Sequence, residues 1–282
     1  MVLKSQVLCT ICKKSKANDS NFGLCNQCKS DPFKIELLRS VLAQKKDFKK
    51  LEQTYNKSLP EIKNSNSKNL WNEIFQDKSR LKNQDQMTKK KIKTVASFIQ
   101  THKKPKILDI GIGKGYLEEF LYDMDKKNID LYGIDISTVA IDNSRKKYKG
   151  HFRICDALDI AKIYKKGFFD YIVALEVVEH ISPKDILGFF HQVNSLLKPK
   201  GVFIITTPTN EHLEKTDLNP SSHVRQYTFE ILEAELKLTG FKVSSLKFLY
   251  AFKEYYFIKN ILRLIINKRW EANNITVKAT RA

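Results

Sequence analysis

The chain has 282 residues, of which 42% are hydrophobic, and a formal net charge of +19. This composition is typical of a globular protein with one large core and room for a small additional domain. No window holds the roughly 18 apolar residues that a membrane-spanning helix needs, which argues against an integral membrane protein. The first residues lack a secretory pattern, so we expect a cytoplasmic protein.

The positive charge is concentrated in the first part of the chain. Residues 1–105 contain 23 Lys and Arg against 9 Asp and Glu, whereas the remaining residues contain 27 against 22. Attraction to phosphate groups of nucleic acid, anionic lipid or a nucleotide-linked substrate is one explanation. Lys is far commoner than Arg, the residue preferred for planar phosphate recognition, so a lysine-rich coding composition is the alternative that the sequence favours.

Four of the five cysteines form two C-x-x-C pairs near the start of the chain. Two facing pairs of thiolates make a tetrahedral zinc site with no open coordination position. A cytoplasmic location favours metal over disulfides, and a redox dithiol would need only one pair. We therefore predict a structural zinc ribbon in residues 1–32, with the ligands Cys9, Cys12, Cys25 and Cys28.

Residues 33–84 show apolar positions at helical spacing with basic residues between them, which predicts a basic helical linker or cap. From residue 85 to 282, helical stretches alternate with the strand candidates KILDI, NIDLYGIDI, HFRIC, FDYIVAL, GVFIITTP, FKVSSLKFLY and NNITVKAT. This alternation predicts an α/β fold: a Rossmann-like, seven-stranded, mainly parallel sheet with helices on both faces. Ligands of such sheets bind beyond the carboxyl ends of the strands, where the strand order reverses.

The first predicted strand leads into a glycine-rich turn, ILDIGIGKGYLEEF, at residues 107–120. Glycines between a strand and a helix allow a sharp bend and a close approach of a ligand to the main chain. By itself the pattern is weak, because a tight turn without a ligand looks the same. Tyr116 takes the place of the last glycine of G-x-G-x-x-G, which weakens a hydride-transfer interpretation.

An acidic residue closes each of the next two predicted strands. Asp135 ends LYGID, where a carboxylate can accept hydrogen bonds from two ribose hydroxyls. Asp156 follows HFRIC, where a carboxylate could accept from an adenine amino group. Solvation at the surface is the alternative for any one Asp, but it explains acids after two successive strands less well.

Residues from about 85 to 282 resemble the class I S-adenosylmethionine-dependent methyltransferases. The resemblance lies in LDIGIGKGYLEEFL, YGIDIS, CDALDI, FDYIVALEVVEHI, LLKPKGVFIITTP and HVRQYTFEILEAELKLTGF. It is closest to the branch that contains ubiquinone-type O-methyltransferases and glycan-modifying enzymes, whose members often carry an N-terminal zinc ribbon. The resemblance implies that S-adenosylmethionine is bound through Asp109, Gly111, Gly113 and Gly115 at its methionine end, Asp135 with Ile136 at the ribose, Asp156 with Ala157 at the adenine, and Glu176 after the fourth strand.

The segment EVVEHI supplies candidates for catalysis. A hydroxyl or amine acceptor must lose its proton, and His is the usual general base near neutral pH. Residues three and four apart share one side of a helical turn, so Glu176, Glu179 and His180 can converge. A capping role at the strand end is the alternative. With His223 the three also resemble the divalent-metal site of small-RNA 2′-O-methyltransferases, although HVRQYTFE departs from that family's H-x-H-x-F-E-W pattern.

Residues 248–270 mix aromatic, aliphatic and basic residues at helical spacing. Such a segment can lie on a membrane surface or cover a lipid-linked acceptor, or it can pack on the sheet. The leading hypothesis is O-methylation of a small-molecule, glycan or lipid-linked acceptor. An RNA methyltransferase and a non-catalytic module that binds partners through the ribbon are the alternatives.

Overall fold

The computed structural model describes residues 52–53, 55–57, 59, 66–77, 86–101, 104–125, 128–209, 223–225, 227–250, 258–259, 261–262 and 272–282. The predicted zinc ribbon lies outside these residues, as does most of the predicted linker. None of the helices in the described ranges is both long and apolar enough to cross a membrane.

Seven strands form one sheet in the order β3-β2-β1-β4-β5-β7-β6. β1 to β5 pair in parallel, β6 runs in the same direction, and β7 lies antiparallel between β5 and β6. The predicted seven-stranded, mainly parallel sheet is therefore confirmed. The strands are β1 (Lys106–Ile110), β2 (Asp130–Asp135), β3 (His151–Ile154), β4 (Phe169–Leu175), β5 (Leu197–Pro208), β6 (Phe241–Leu249) and β7 (Asn274–Arg281).

The helices follow the predicted alternation. Two of them, α1 (Lys68–Gln76) and α2 (Gln86–Ser97), precede the sheet, and α3 (Tyr116–Asp125) follows the glycine-rich turn. The others are α4 (Thr138–Lys147), the short α5 (Ile160–Ile163), α6 (Ile186–Leu196) and α7 (Phe229–Leu238). Side-chain oxygens of Ser67, Ser137 and Thr228 accept a hydrogen bond from the first turns of α1, α4 and α7, which satisfies otherwise unpaired amide groups.

Both faces of the sheet are covered by helices, because side chains of the central strands alternate between two apolar cores. One core joins Ile107 and Val173 to residues of α2, α3 and α4. The other joins Leu108 and Ile172 to α5, α6 and α7. Burying a side chain of this size contributes about 2 kcal/mol, so the central strands are held from both sides.

One boundary differs clearly from the prediction. The predicted strand GVFIITTP begins at Gly201, but β5 already begins at Leu197. Leu197 pairs with Phe169, and the next paired residues are Val202 and Tyr171, so residues 198–201 bulge out of the ladder. Local sequence indicates a break here, whereas pairing with β4 continues the strand across it.

The strand order reverses between β1 and β4. From β1 the chain adds β2 and then β3 on one side, and it returns to place β4 on the other side of β1. The carboxyl ends of these parallel strands therefore meet at one edge, with the glycine-rich turn at the reversal. This is the position where open α/β sheets bind ligands.

Candidate functional site

A cleft of about 470 Å³ opens at the carboxyl ends of β1, β2, β3 and β4. Its volume lies within the range of small-molecule sites. The wall combines backbone of the glycine-rich turn, strand-end side chains and residues of α1. It includes Gly111, Gly113, Asp135, Ile136, Asp156, Ala157, Leu158, Glu176, His180 and His223.

The glycine-rich turn presents bare main chain to the cleft. Gly111, Gly113 and Gly115 have φ angles of +79°, +56° and +74°, a region that residues with a side chain rarely adopt. A Cβ atom on Gly111 would lie 2.6 Å from Cγ2 of Val177. The amide of Gly111 donates to the carbonyl of Ile134 over 2.8 Å, which fixes the turn to the end of β2. Glycine is therefore required by both conformation and space.

Asp135 lies at the end of β2 and lines the cleft. Its carboxylate accepts hydrogen bonds from the amides of Gly113 (2.9 Å) and Ser137 (2.8 Å), so it links the glycine-rich turn to the start of α4. Burial raises the pKa of Asp135, and the backbone N–H groups oppose that rise. Each carboxylate oxygen keeps a second lone pair with which it can accept from a ligand hydroxyl.

Asp156 lies just after the end of β3, the strand next to β2, and also lines the cleft. Its carboxylate accepts from the amide of Leu158 over 2.9 Å and caps a short 3-10 turn, Ala157–Asp159. Ala157, Leu158 and Cys155 line the cleft beside it. Burial raises the pKa of the Cys155 thiol to about 11, so this group is protonated at neutral pH.

The structure does not place Asp109 in the wall of the cleft. Its side chain is only 2% exposed and lies behind the glycine-rich turn, next to the fully buried Glu118 of α3. Burial and the neighbouring carboxyl group raise the pKa of Asp109 well above its usual value, and burial raises that of Glu118 to about 7. Asp109 pairs with Gly133 and so shares a face of the sheet with Asp135, but it lies one residue before the end of β1, whereas Asp135 is the last residue of β2.

Glu176 directly follows β4, with a φ angle of +55° that is unusual for this residue type. Its carboxylate accepts from the hydroxyl of Thr206 (2.6 Å) and the side-chain amide of Asn274 (2.9 Å), and it pairs with Lys91 of α2 (3.2 Å). Burial alone would raise the pKa of Glu176, but Lys91 and these hydrogen bonds outweigh it and lower the pKa. Glu176 is therefore an ionised and firmly held group.

Glu179 and His180 lie on a 3-10 turn, Val178–His180. Glu179 is buried and accepts from the hydroxyl of Thr207 over 3.1 Å. Burial and the charge of Glu176 raise the pKa of Glu179 well above its usual value. The rings of His180 and His223 contact each other edge to face, with centroids 4.6 Å apart.

The predicted set of four side chains converges only in part. Ligand atoms of Glu179, His180 and His223 all lie within 4.8 Å of one another. Glu176 is instead directed towards Lys91, Thr206 and Asn274, as described above. A carboxylate and two imidazoles are suitable ligands for a divalent metal, and the same groups are equally suited to proton transfer.

Helix α1, which lies in the predicted linker or cap, closes one side of the cleft. Asn72 accepts at its side-chain oxygen from the hydroxyl of Ser137 over 2.7 Å and so docks α1 onto the start of α4. Trp71 contacts the ring of His180 edge to face at 4.9 Å, and Phe75 lies over Gly113. The helical spacing of LWNEIF predicts an amphipathic helix, but no local signal tells which surface it covers.

Comparisons with known proteins agree with this architecture. A family model described as a methyltransferase domain matches residues 80–246, more than half of the chain. The cyclopropane-fatty-acyl-phospholipid synthase of Escherichia coli K12 is 28% identical over 144 residues, which are 49% of this chain and 35% of that protein. The ubiquinone biosynthesis O-methyltransferase of Pelagibacter ubique is 33% identical over 135 residues, 46% of this chain and 48% of that protein.

The chain therefore spans about a third to a half of the length of these two relatives. Among solved structures, an S-adenosylmethionine-dependent methyltransferase from Archaeoglobus fulgidus superposes with a TM-score of 0.53. The alignment covers 68% of this chain and 93% of that one at 20% identity, a level at which the likeness shows the fold alone.

Proposed function

The chain belongs to the methyltransferase-domain family, and we propose that it transfers a methyl group from S-adenosylmethionine to an oxygen atom of a small-molecule, glycan or lipid-linked acceptor. Family membership supports S-adenosylmethionine as the cofactor. The observation that carries the proposal is the meeting of a bare glycine-rich turn with the Asp135 carboxylate at the point where the strand order reverses.

The cleft residues suit the three parts of the cofactor. The bare main chain of the glycine-rich turn would lie against the methionine end, and Asp135 would accept from the ribose hydroxyls. Asp156, Ala157 and Leu158 would surround the adenine. Because Asp109 lies behind the turn, its contribution to the methionine end would be indirect, through the shape of the turn.

Methyl transfer is an in-line displacement, in which the cofactor supplies the electrophilic methyl group. The protein has to orient the acceptor, exclude water and remove a proton from the attacking hydroxyl. His180 lies in the cleft beside His223, and we assign it as the general base, with an imidazole nitrogen accepting the proton. Glu176 remains ionised and oriented by Lys91, while the raised pKa of Glu179 favours its protonated form.

The acceptor side of the cleft favours a molecule with an apolar or aromatic body. Trp71 and Ile181 form this side together with the two histidines. The names of two relatives refer to a fatty-acyl-phospholipid and to ubiquinone biosynthesis, which is consistent with a lipid-linked acceptor. Ile258, Ile261 and Leu262 expose 56%, 58% and 39% of their surface, which favours peripheral membrane contact of a cytoplasmic protein through residues 248–270.

Calorimetric titration with S-adenosylmethionine tests the cofactor site. Asp135→Asn should weaken binding roughly ten- to hundredfold, because it removes a charged acceptor for two hydroxyls. Asp130→Asn is the matched control, since Asp130 lies at the other end of the same strand, and it should bind as the natural chain does. Equal affinities for the two variants would contradict the assigned ribose contact.

The acceptor class can be found by transfer of a labelled methyl group into lipid, sugar-nucleotide and RNA fractions. We expect label in the lipid or sugar-nucleotide fraction and its loss in His180→Gln. Label in RNA alone would favour the RNA methyltransferase alternative. A chain that binds zinc but no cofactor would favour the non-catalytic interaction module.

A metal-assisted reaction, such as ribose 2′-O-methylation, is the second candidate. It is favoured by the cluster of Glu179, His180 and His223. Cobalt(II) added to the protein should then give an absorption band that is lost in His223→Gln. Absence of this band in the natural chain, with the cofactor bound, would leave acid–base catalysis by His180.

We also propose the structural zinc site predicted from the two C-x-x-C pairs. Four thiolates in a cytoplasmic protein support this assignment. Metal analysis should find one zinc per chain in addition to any metal at the cleft, and Cys9→Ser with Cys12→Ser should abolish it. Full zinc content in that double variant would contradict the ligand assignment.

A further inference from the structure

A buried ion pair lies behind the histidine cluster, outside the cleft. Glu235 of α7 is fully buried, and its Oε1 accepts from Nη2 of Arg225 over 2.5 Å and from the hydroxyl of Tyr55 over 2.7 Å. Its Oε2 accepts from the hydroxyl of Tyr227 over 3.2 Å. Three donors on one carboxylate compensate for the removal of its charge from water.

Arg225 connects this ion pair to the candidate catalytic turn through its own backbone. The amides of Val224 and Arg225 both donate to the carbonyl of Glu179, over 2.9 Å and 3.1 Å. Glu179 and His180 share the 3-10 turn, and His223 precedes Val224 in the chain. The segment 223–225 therefore makes hydrogen bonds to the turn that contains His180, and it also contains His223.

We propose that Arg225 and Glu235 are positioning residues that set the edge-to-face contact of His223 with His180. This inference rests on the proposed function, because it assigns a role to residues that act through the general base. The guanidinium holds the segment 223–225 against α7, and the two amides then fix the turn that carries His180. Without the ion pair, the segment keeps its two backbone hydrogen bonds to the carbonyl of Glu179 but loses its contact with α7.

The buried charges serve this placement better than an apolar contact would. An apolar pair of similar volume can match the stability of a buried ion pair, but it does not prescribe one direction of approach. Nη2 of Arg225 contacts Oε1 of Glu235, and the planar guanidinium also lies over the ring of Tyr227 with Cζ 4.8 Å from the ring centroid, so two contacts fix its position. Tyr55, which precedes α1 in the chain, adds a third donor to the same carboxylate.

The test uses the full-length chain with Arg225→Met combined with Glu235→Gln, so that no buried charge is left alone. The readout is the nuclear Overhauser effect between the imidazole protons of His180 and His223, assigned with His180→Gln and His223→Gln. We expect this signal to be lost in the double variant, while affinity for S-adenosylmethionine and the thermal unfolding temperature stay close to those of the natural chain. This readout needs no acceptor.

Lys237→Met combined with Glu233→Gln is the matched control. These residues form a partly exposed ion pair on the same helix, with 2.9 Å between Nζ and Oε1, and the control should keep the histidine signal. A folded double variant of Arg225 and Glu235 that retains the signal would overturn the proposal. If that variant does not fold, Arg225→Lys keeps the charge but loses the planar guanidinium that packs on Tyr227, and an unchanged signal there would overturn the proposal equally.

The outcome is separable from that of the proposed function. A natural chain that shows the histidine signal but binds no cofactor would refute the methyltransferase proposal and leave the positioning role measurable. Once an acceptor is known, the double variant should lower kcat at least tenfold with little change in the KM of the cofactor. A loss of cofactor binding in step with the loss of turnover would instead indicate a general structural role.

Discussion

Replacing Glu118 by Gln should make the stability of the protein less dependent on pH. Glu118 is fully buried in α3 beside Asp109, and within the described residues its carboxylate oxygens have no hydrogen-bonding partner outside this acid pair and its own backbone. Burial raises its pKa from 4.5 to about 7. Gln has nearly the same shape and carries no charge at any pH, so the substitution removes the cost of ionising this group.

The magnitude follows from the two pKa values. Between pH 4.5 and pH 7 the folded chain holds a proton that the unfolded chain has already released. The free energy of unfolding therefore falls as pH rises through this window, by about 3 kcal/mol in total. In the Gln variant this contribution is absent. Relative to the natural chain, Glu118→Gln should gain about 3 kcal/mol of stability between pH 4.5 and pH 8.

Urea denaturation at a series of pH values, followed by tryptophan fluorescence, measures this difference directly. Glu119→Gln serves as the control, because Glu119 is the next residue in the same helix and is exposed. It should change the free energy of unfolding by no more than about 0.5 kcal/mol at any pH. A stability difference between Glu118→Gln and the natural chain that stays constant with pH would refute the reasoning.

Three further predictions concern the cleft. Gly111→Ala should lower the free energy of unfolding by about 2–4 kcal/mol in urea denaturation, because of its positive φ and its clash with Val177. Adding Val177→Ala to that variant should recover part of the loss, and no recovery would contradict the clash. Lys91→Met should lower the free energy of unfolding by about 1–2 kcal/mol, because it leaves the Glu176 carboxylate without its cation. Adding Glu176→Gln should restore stability, and additive losses in the double variant would contradict the ion pair. Phe75→Ala should weaken S-adenosylmethionine binding roughly tenfold in calorimetry without a change of fold, whereas unchanged affinity would place the cofactor away from α1.

The pattern of charges in the site gives each acid a different task. Asp135 and Asp156 point at the cleft from neighbouring strand ends, and both are held by backbone amides. Glu176 is ionised next to Lys91, whereas the raised pKa of Glu179 favours its neutral form. The ionised Glu176 would favour a cationic cofactor nearby. The protonated Glu179 would place no second negative charge beside His180, so the imidazole would stay neutral and able to act as the general base.

The elements of the fold could be predicted from local sequence. Short apolar runs alternate along the chain with segments of helical periodicity, and this was sufficient to identify all seven strands of the described sheet. Hydrophobic patterning works here because it reflects which face of each element is buried. The start of β5 at Leu197 was missed, since a bulge depends on the partner strand and not on the residues that bulge.

The functional residues divide in the same way. The glycine-rich turn and Asp135 were predictable, because positive φ angles and a strand-end carboxylate leave a local signature in the chain. Asp109 shows the limit of such reasoning. It also lies near a strand end and on the same face of the sheet as Asp135, but whether its carboxylate reaches the cleft is decided by the packing of α3, whose Glu118 lies against it.

The sequence by itself determined the succession of strands and helices along the chain, the sharp glycine-rich turn and the acids that follow the strands, since these depend on neighbours along the chain. Tertiary structure alone decided that Lys91 pairs with Glu176, that Arg225 and Glu235 meet behind the histidines, and that α1 covers the cleft. These contacts join residues from different elements, so their energies depend on distances that only the packed chain defines.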